Sequence, residues 1–381
     1  MVGRRELLRA VVALVGLVFG VAAIAQTPGV TASSIRIGQS AALSGAAAEL
    51  GTEMRQGIEA YFATVNAAGG VNGRRLELVS LDDGYEPDRA AQNTRTLIED
   101  EQVFALLGYV GTPTSEASLP IFTEARVPFV GAFTGAELLR DPFNRYIFNV
   151  RASYYQETGR IVDHLVAAGT TRIAVFHQND SYGRAGLEGV RRAMERHGLE
   201  IHAVATVERN STDVAEATRI LTAAEPVAII QISAYASCAA LIKAMQDLRV
   251  PPQFFNVSFV GSRPLAEALG DVGRGVIVSQ VVPFPFSGVS PLVRTYREAM
   301  ERQGTTNLSF TSMEGFLAAM VTVEGLRRSG EDLTREGFVR AMETIRGHDF
   351  GGFVVTFTDG NHNGSDFVDL TMISRDGRFI R

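Results

Sequence analysis

From residue 34 onward, short runs rich in β-branched and aromatic residues alternate with longer amphipathic stretches, a rhythm that neither an all-helical nor an all-β architecture accommodates. The pattern predicts parallel strands, each followed by a helix that crosses back over the sheet. The first set of strands reads "SIRIGQSAAL", "RLELVSLDD", "VFALLGYV", "VPFVGAF" and "YIFNVR". After residue 150 the rhythm restarts with "RIAVFHQ", "IHAVATVE", "PVAIIQIS", "FFNVSFV" and "GVIVSQVV". Two successive doubly wound units follow, which suits a chain of 381 residues better than one small domain.

Between residues 53 and 67, Met54, Ile58, Tyr61, Phe62 and Val65 recur at spacings of three and four, the stripe of a helix whose inner face is core. Glycines in "NAAGGVNGRR" stop that helix. Past residue 290 come helical stretches at about 291–302, 311–328 and 334–345, and the chain finishes with "FVVTFTDGNHNGSDFVDLTMISR", which reads as a hairpin-like pair of strands. The late helices have no new parallel strand to serve and are expected to pack on an earlier lobe.

The first 25 residues stand apart. "MVGRRELLRA" is positively charged, "VVALVGLVFGVAAIA" is apolar, and Ala23-Ile24-Ala25 is a small-x-small cleavage site. This is the pattern of a secretory signal peptide, with an apolar run of about 15 residues where about 20 are needed to span a bilayer. Its removal takes away Arg4, Arg5, Arg9 and Glu6, a net of +2, turning the formal charge of −6 into −8. An acidic exported chain offers no basic stripe for a nucleic acid. Cys238 is the only cysteine, which excludes an intrachain disulfide and a cysteine-cluster metal site.

Ligands of open α/β sheets bind beyond the carboxyl ends of the strands. Glycine and hydroxyl clusters at such ends are "LSGAAAELG", "GYVGTPTSE", "GAFTGAE", "HQNDSYGRAG", "SAYASC" and "NVSFVG". They come from both halves of the chain, so a site lined by them lies between lobes. "GYVGTPTSE" has the look of an anion loop, for a nucleotide phosphate, a reaction intermediate or a carboxylate. It lacks the Walker A lysine, and no G-x-G-x-x-G follows a predicted strand. Thr112 is placed as an N-cap with Pro113 at the first helical position, a pairing that is also common without any ligand.

Other chemistry is poorly supported. There is no G-x-S-x-G nucleophile elbow and no H-E-x-x-H zinc motif. Asp82 and Asp83 are adjacent, so on a strand they point to opposite faces; a turn-and-cap role before "YEPDRA" fits them better than acid/base catalysis. In "DGNHNGSD", Asp359, Asn361, Asn363 and Gly364 match the first half of a calcium loop, but the twelfth position is Leu370 where a bidentate Glu is required. No cofactor or metal is expected. Tyr182, Tyr235 and Phe259 lie at strand ends, where aromatic walls are typical of small-molecule pockets.

"IRIGQSAALSGAAAELG", "NAAGGVNGRRLELVSLDDGYEPDRAAQ", "GYVGTPTSEASLPIFTEARVPFVGAFTGAELLR" and "RIAVFHQNDSYGRAGLEGV" together resemble the leucine/isoleucine/valine-binding protein family of ABC transporter substrate-binding proteins, in order over nearly all of the mature chain. The resemblance implies a type I periplasmic binding protein: two Rossmann-like lobes joined by three crossover strands, with a ligand cleft between them. It places lobe one at about 33–149 plus 283–350 and lobe two at about 150–282 plus 351–381. It also implies a ligand carboxylate held by Thr112 and by the backbone around Phe133, Thr134 and Gly135. Tyr182 and Tyr235 would close from lobe two, and Leu50 would stand where the family has an aromatic residue.

One departure concerns the ligand. Amino-acid-binding members carry an acid after the strand matching "FFNVSFV", and this chain has Ser258-Phe259 there. Either another acid, such as Glu49 or Asp180, replaces it, or the ligand has no ammonium. The resemblance therefore implies a periplasmic binding protein, without enzymatic activity, for a small carboxylate, either a branched-chain or aromatic amino acid or a related acid or amide. Its partners would be the membrane permease and ATPase subunits of an ABC importer. A sensory ligand-binding subunit has the same sequence signature, and an exported hydrolase would need a nucleophile and base that the sequence does not display.

Overall fold

A computed structural model describes residues 27–246 and 251–381; the expected signal segment, residues 1–25, lies outside the described residues. The alternating pattern resolves into two sheets. Strands β1 (Ser34–Ala41), β2 (Arg75–Asp82), β3 (Ala105–Leu107), β4 (Phe129–Val130) and β5 (Ile147–Phe148) form the first, in the order β2-β1-β3-β4-β5, with every pair parallel. Between them lie α1 (Ala48–Ala67), α2 (Pro87–Glu99) and α3 (Thr112–Glu124).

The second sheet repeats that plan. Its parallel part is β6 (Ile173–Gln178), β7 (Ala203–Val207), β8 (Ala228–Ile232), β9 (Gln253–Asn256) and β10 (Ile277–Gln280), ordered β10-β9-β8-β6-β7. Helix α4 (Tyr154–Ala167) leads into this sheet, and α5 (Ser181–Arg196), α6 (Ala215–Ala224), α7 (Tyr235–Met245) and α8 (Ser262–Leu269) connect its strands. In each sheet the strand order reverses beside the first strand, between β1 and β3 and between β6 and β8. Those switch points open a crevice at the strand ends.

The late helices are α9 (Pro291–Arg302), α10 (Phe310–Ser329) and α11 (Arg335–Met342). Helix α10 lies directly on α1, and the closeness depends on two glycines: a Cβ on Gly57 would stand 1.9 Å from the Ser312 carbonyl oxygen, and one on Gly315 would stand 2.1 Å from that of Met54. The stripe of Met54, Ile58, Tyr61, Phe62 and Val65 is buried, as its spacing predicts.

The chain end differs from the expected hairpin. Val354–Val355 (β12) pairs with His348–Asp349 (β11), while Asp369–Ile373 (β13) adds antiparallel to β10 and is followed by Phe379–Ile380 (β14). The two predicted strands therefore pair with different partners. The segment "DGNHNGSD" runs between them beside the end of β5, where the Asn149 amide donates to the His362 carbonyl at 2.9 Å and the Gly364 amide to the Asn149 carbonyl at 2.7 Å. The chain thus passes between the sheets three times: after β5, after β10, and through this segment.

Candidate functional site

The first sheet ends in glycines because its backbone must bend sharply there. Gly108 and Gly111 take φ of +65° and +105°, and a Cβ on Gly111 would stand 2.3 Å from the ring of Tyr85. Gly111, not Thr112, is the N-cap of α3; Thr112 is the first helical residue and Pro113 the second. The Thr112 hydroxyl is therefore free of capping and shares a 2.6 Å hydrogen bond with the Thr134 hydroxyl, which also meets the Tyr154 hydroxyl at 3.3 Å and accepts from the Ala136 amide at 3.2 Å. The amides opening α3 lack intrahelical acceptors, a setting that favours an anion. Gly135 brings its carbonyl to the Tyr154 amide at 2.7 Å, and a Cβ on it would stand 2.7 Å from that same nitrogen.

Opposite this edge, the second half contributes Tyr182 in the first turn of α5 and Phe259 in the single helical turn Ser258–Val260. Phe259 is the centre of an aromatic cluster. Its ring centroid lies 5.2 Å from Phe133, 5.8 Å from Tyr85 and 4.6 Å from Tyr182, and Tyr182 in turn is 5.3 Å from Tyr154. All five rings are buried. Burial holds the Tyr182 and Tyr85 hydroxyls well above the usual tyrosine range. Tyr85 accepts from Gln178 across the lobes at 3.1 Å, while the Tyr182 hydroxyl is buried without a hydrogen-bond partner.

The floor of this contact holds a residue that sequence reasoning missed. Arg151, just past β5, is 1% exposed, and its guanidinium reaches Glu157 of α4 at 2.6 Å, Glu314 of α10 at 3.3 Å and the Ser258 hydroxyl. The rings of Phe133 and Tyr154 flank it at 5.5 and 5.7 Å. Glu157 also accepts from the Ser258 amide at 2.8 Å and the Ser279 hydroxyl at 2.6 Å. Burial pushes Glu314 up to about 7 despite the pull of Arg151. Arg151 itself is pulled down by burial but held above its ordinary value by the two carboxylates.

The remaining expected residues lie at the rim. Leu50 is buried in α1 and faces Gly261, where an added Cβ would come 2.4 Å from its Cδ2. Tyr235 opens α7, half-buried, with its ring beside Gly261. Arg263 of α8 ties the rim with contacts of 2.7 Å to Glu49 and 2.5 Å to Glu53, and Arg209 reaches Glu86 at 2.9 Å. Glu49 is thus paired at the rim. Asp180 caps α5, receiving the Tyr182 amide at 3.0 Å and the Gly183 amide at 3.3 Å. The acid next to Ser258 is Glu157, not Glu49 or Asp180.

Asp82 and Asp83 have the turn role their adjacency suggests. Asp82 accepts from the Leu43 and Gly84 amides, both at 2.9 Å, and is held down to about 2, where hydrogen bonds outweigh burial. Asp83 accepts from Ser40 at 2.7 Å and from the Tyr85 amide at 2.8 Å, fixing Tyr85 at φ +65°, and burial raises it to about 6. Among the described residues no group of three or more His, Cys, Asp or Glu side chains is placed to hold a metal.

Comparison with known proteins agrees with this architecture. The family model described as periplasmic binding protein matches residues 34–378. A solved structure of a possible leucine/isoleucine/valine-binding protein from Rhodopirellula baltica SH 1 is 37% identical, with a TM-score of 0.88 over 93% of this chain and 98% of that one. The Leu/Ile/Val-binding protein homolog 7 of Brucella abortus is 23% identical over 91% of each chain. At 22% identity, a fatty acid ABC transporter substrate-binding protein from Thermomonospora curvata shares the fold, with a TM-score of 0.84 over 93% of this chain and 92% of that one. Two doubly wound lobes, three passages of the chain between them and a family match across both place the protein in the periplasmic binding protein family, among its type I, leucine/isoleucine/valine-binding-like members.

Proposed function

We propose that this protein is the substrate-binding component of an ABC importer, exported by cleavage after Ala25, that captures a small organic carboxylate between its lobes and releases it to membrane permease and ATPase subunits. Residues 33–149 plus 283–350 move as one lobe and residues 150–282 plus 351–381 as the other. The observation that carries this reading is the convergence of the Thr112–Thr134 hydroxyl pair, the Arg151 guanidinium and the Phe133, Tyr182 and Phe259 rings at one interlobe contact. Hydroxyls, a helix start and a guanidinium favour a carboxylate; a cluster of tilted aromatic rings favours an apolar body. Leu50, Gly135, Tyr235 and Ser258 complete the edges. The protein acts by binding, with no bond made or broken.

Thermal shift with a panel of amino acids, aromatic acids and short amides tests the proposal. A ligand present at 100 times its Kd adds about 2.7 kcal/mol to stability, a clear rise in melting temperature. Failure of every carboxylate in the panel, or turnover of any compound in it, would count against the reading.

A further inference from the structure

The buried acids around the interlobe contact already have partners. Glu157 receives the Arg151 guanidinium on one oxygen, and the Ser258 amide and Ser279 hydroxyl on the other. Glu314 receives the other arm of Arg151. Asp180 receives two amides of α5, the Gln178 side chain at 2.6 Å and Arg209 at 3.5 Å. What is left over on the floor is donor capacity: the Arg151 Nε and the Tyr182 hydroxyl are buried and have no partner. The amide oxygens of Gln231, Asn256 and Gln280 also lack donors, but they are neutral and belong to strands β8, β9 and β10 inside the sheet.

We infer that Arg151 is a built-in cation that fits this cleft to carboxylates carrying no α-ammonium group and sets it against α-amino acids. The inference rests on the reading of the cleft as a carboxylate site. An α-amino acid arrives as a zwitterion, and its ammonium must give up water for acceptors with open lone pairs. Here Glu157 and Glu314 are bound to Arg151, and Asp180 is bound to two amides of α5, Gln178 and Arg209, so none of these acids is left open to an ammonium. A plain carboxylate brings only acceptors, which suit the free Nε–H, the Tyr182 hydroxyl and the Thr112–Thr134 pair. The faces of the Phe133 and Tyr154 rings lie 5.5 and 5.7 Å from the guanidinium carbon, contacts that any swing of the side chain toward an ammonium would give up.

Matched pairs test this on the mature protein by isothermal titration calorimetry: 4-methylpentanoate against leucine, 3-methylbutanoate against valine, and 3-phenylpropanoate against phenylalanine. The deaminated member of at least one pair is expected to bind about 100-fold tighter, the scale set by leaving one buried charge without a partner. Equal or tighter binding of the amino acids overturns the inference and leaves the carboxylate reading intact. Absence of binding by every member of the three pairs overturns both. Arg151→Ala frees Glu157 for a ligand ammonium, so in a folded variant the preference should shift toward the amino acids by about 10-fold or more; an unchanged preference overturns the role of Arg151. Arg151→Lys keeps the cation and should keep the wild-type order. Should neither variant fold, the wild-type pairs decide alone.

Discussion

The floor and the rim of the cleft both join the lobes through arginine and glutamate, yet they are built for different purposes. On the floor, Arg151, Glu157 and Glu314 have side chains 1%, 0% and 5% exposed. At the rim, Arg263 is 21% exposed with partners ranging from the nearly buried Glu53 to Glu267 at 60%, and Arg209 is 24% exposed. Water can take over the rim pairs when the lobes part, at a cost of little more than the ordering of the side chains. It cannot do so on the floor, where Arg151 sits buried at the first passage of the chain between the lobes. On the proposed function, the rim would set how readily the cleft closes and the floor what closure encloses.

The largest effect that separates the two regions is expected from Arg151→Ala. It leaves Glu157 and Glu314 buried and unpaired, a change that costs about 3 to 5 kcal/mol, read as a lower midpoint of urea denaturation. The triple variant Arg151→Met, Glu157→Gln, Glu314→Gln removes the charges together and should recover most of that loss. A single-variant loss below about 1 kcal/mol would mean that the floor behaves as a surface pair does.

Next comes pH. Burial raises Glu314 from its ordinary 4.5 to about 7. A carboxyl with a raised folded pKa contributes stability that is fully present below pH 4.5 and is lost as pH rises through about 7, on the order of 3 kcal/mol over the whole range. Asp83, raised to about 6, acts with the same sign, so the informative quantity is the difference between the wild type and Glu314→Gln. The variant's urea midpoint should depend less steeply on pH between 5 and 7.5 than the wild type's. Identical slopes would remove Glu314 as the source.

Most of the scaffold was legible because periodicity is a local property. The stripe from Met54 to Val65 lies within one helix, and the strand-end clusters holding Thr112, Thr134, Tyr182 and Phe259 are contiguous in sequence. The floor was not legible, because Arg151 and Glu314 are brought together across 163 positions of chain. Glu157 reads as one more polar residue in the first turn of α4. A signal did exist for Glu314: it is the lone acid in "FTSMEGFLAAMV", an otherwise apolar and hydroxyl-bearing stretch, where a buried charge demands a partner. The chain end was misread for a similar reason. β12 and β13 each have strand composition, but β12 pairs with β11 and β13 with β10, a strand far back in the sequence.

The rim variants should have the smaller effects. Arg263→Ala leaves Glu53 buried, where burial already raises its pKa, and is expected to cost on the order of 1 to 2 kcal/mol. It should also enlarge the radius of gyration in solution scattering as the lobes part; an unchanged radius would assign closure to the aromatic cluster instead. Smallest of all is Arg209 with Glu86, whose side chain is 44% exposed. A double-mutant cycle on Arg209→Ala and Glu86→Ala should give a coupling of about 0.2 to 1 kcal/mol, and raising the salt to about 1 M, where the Debye length falls to about 3 Å, should erase most of it. A coupling above about 2 kcal/mol that survives salt would place this pair energetically with the floor, and the division between a rim that times closure and a floor that selects the ligand would fail.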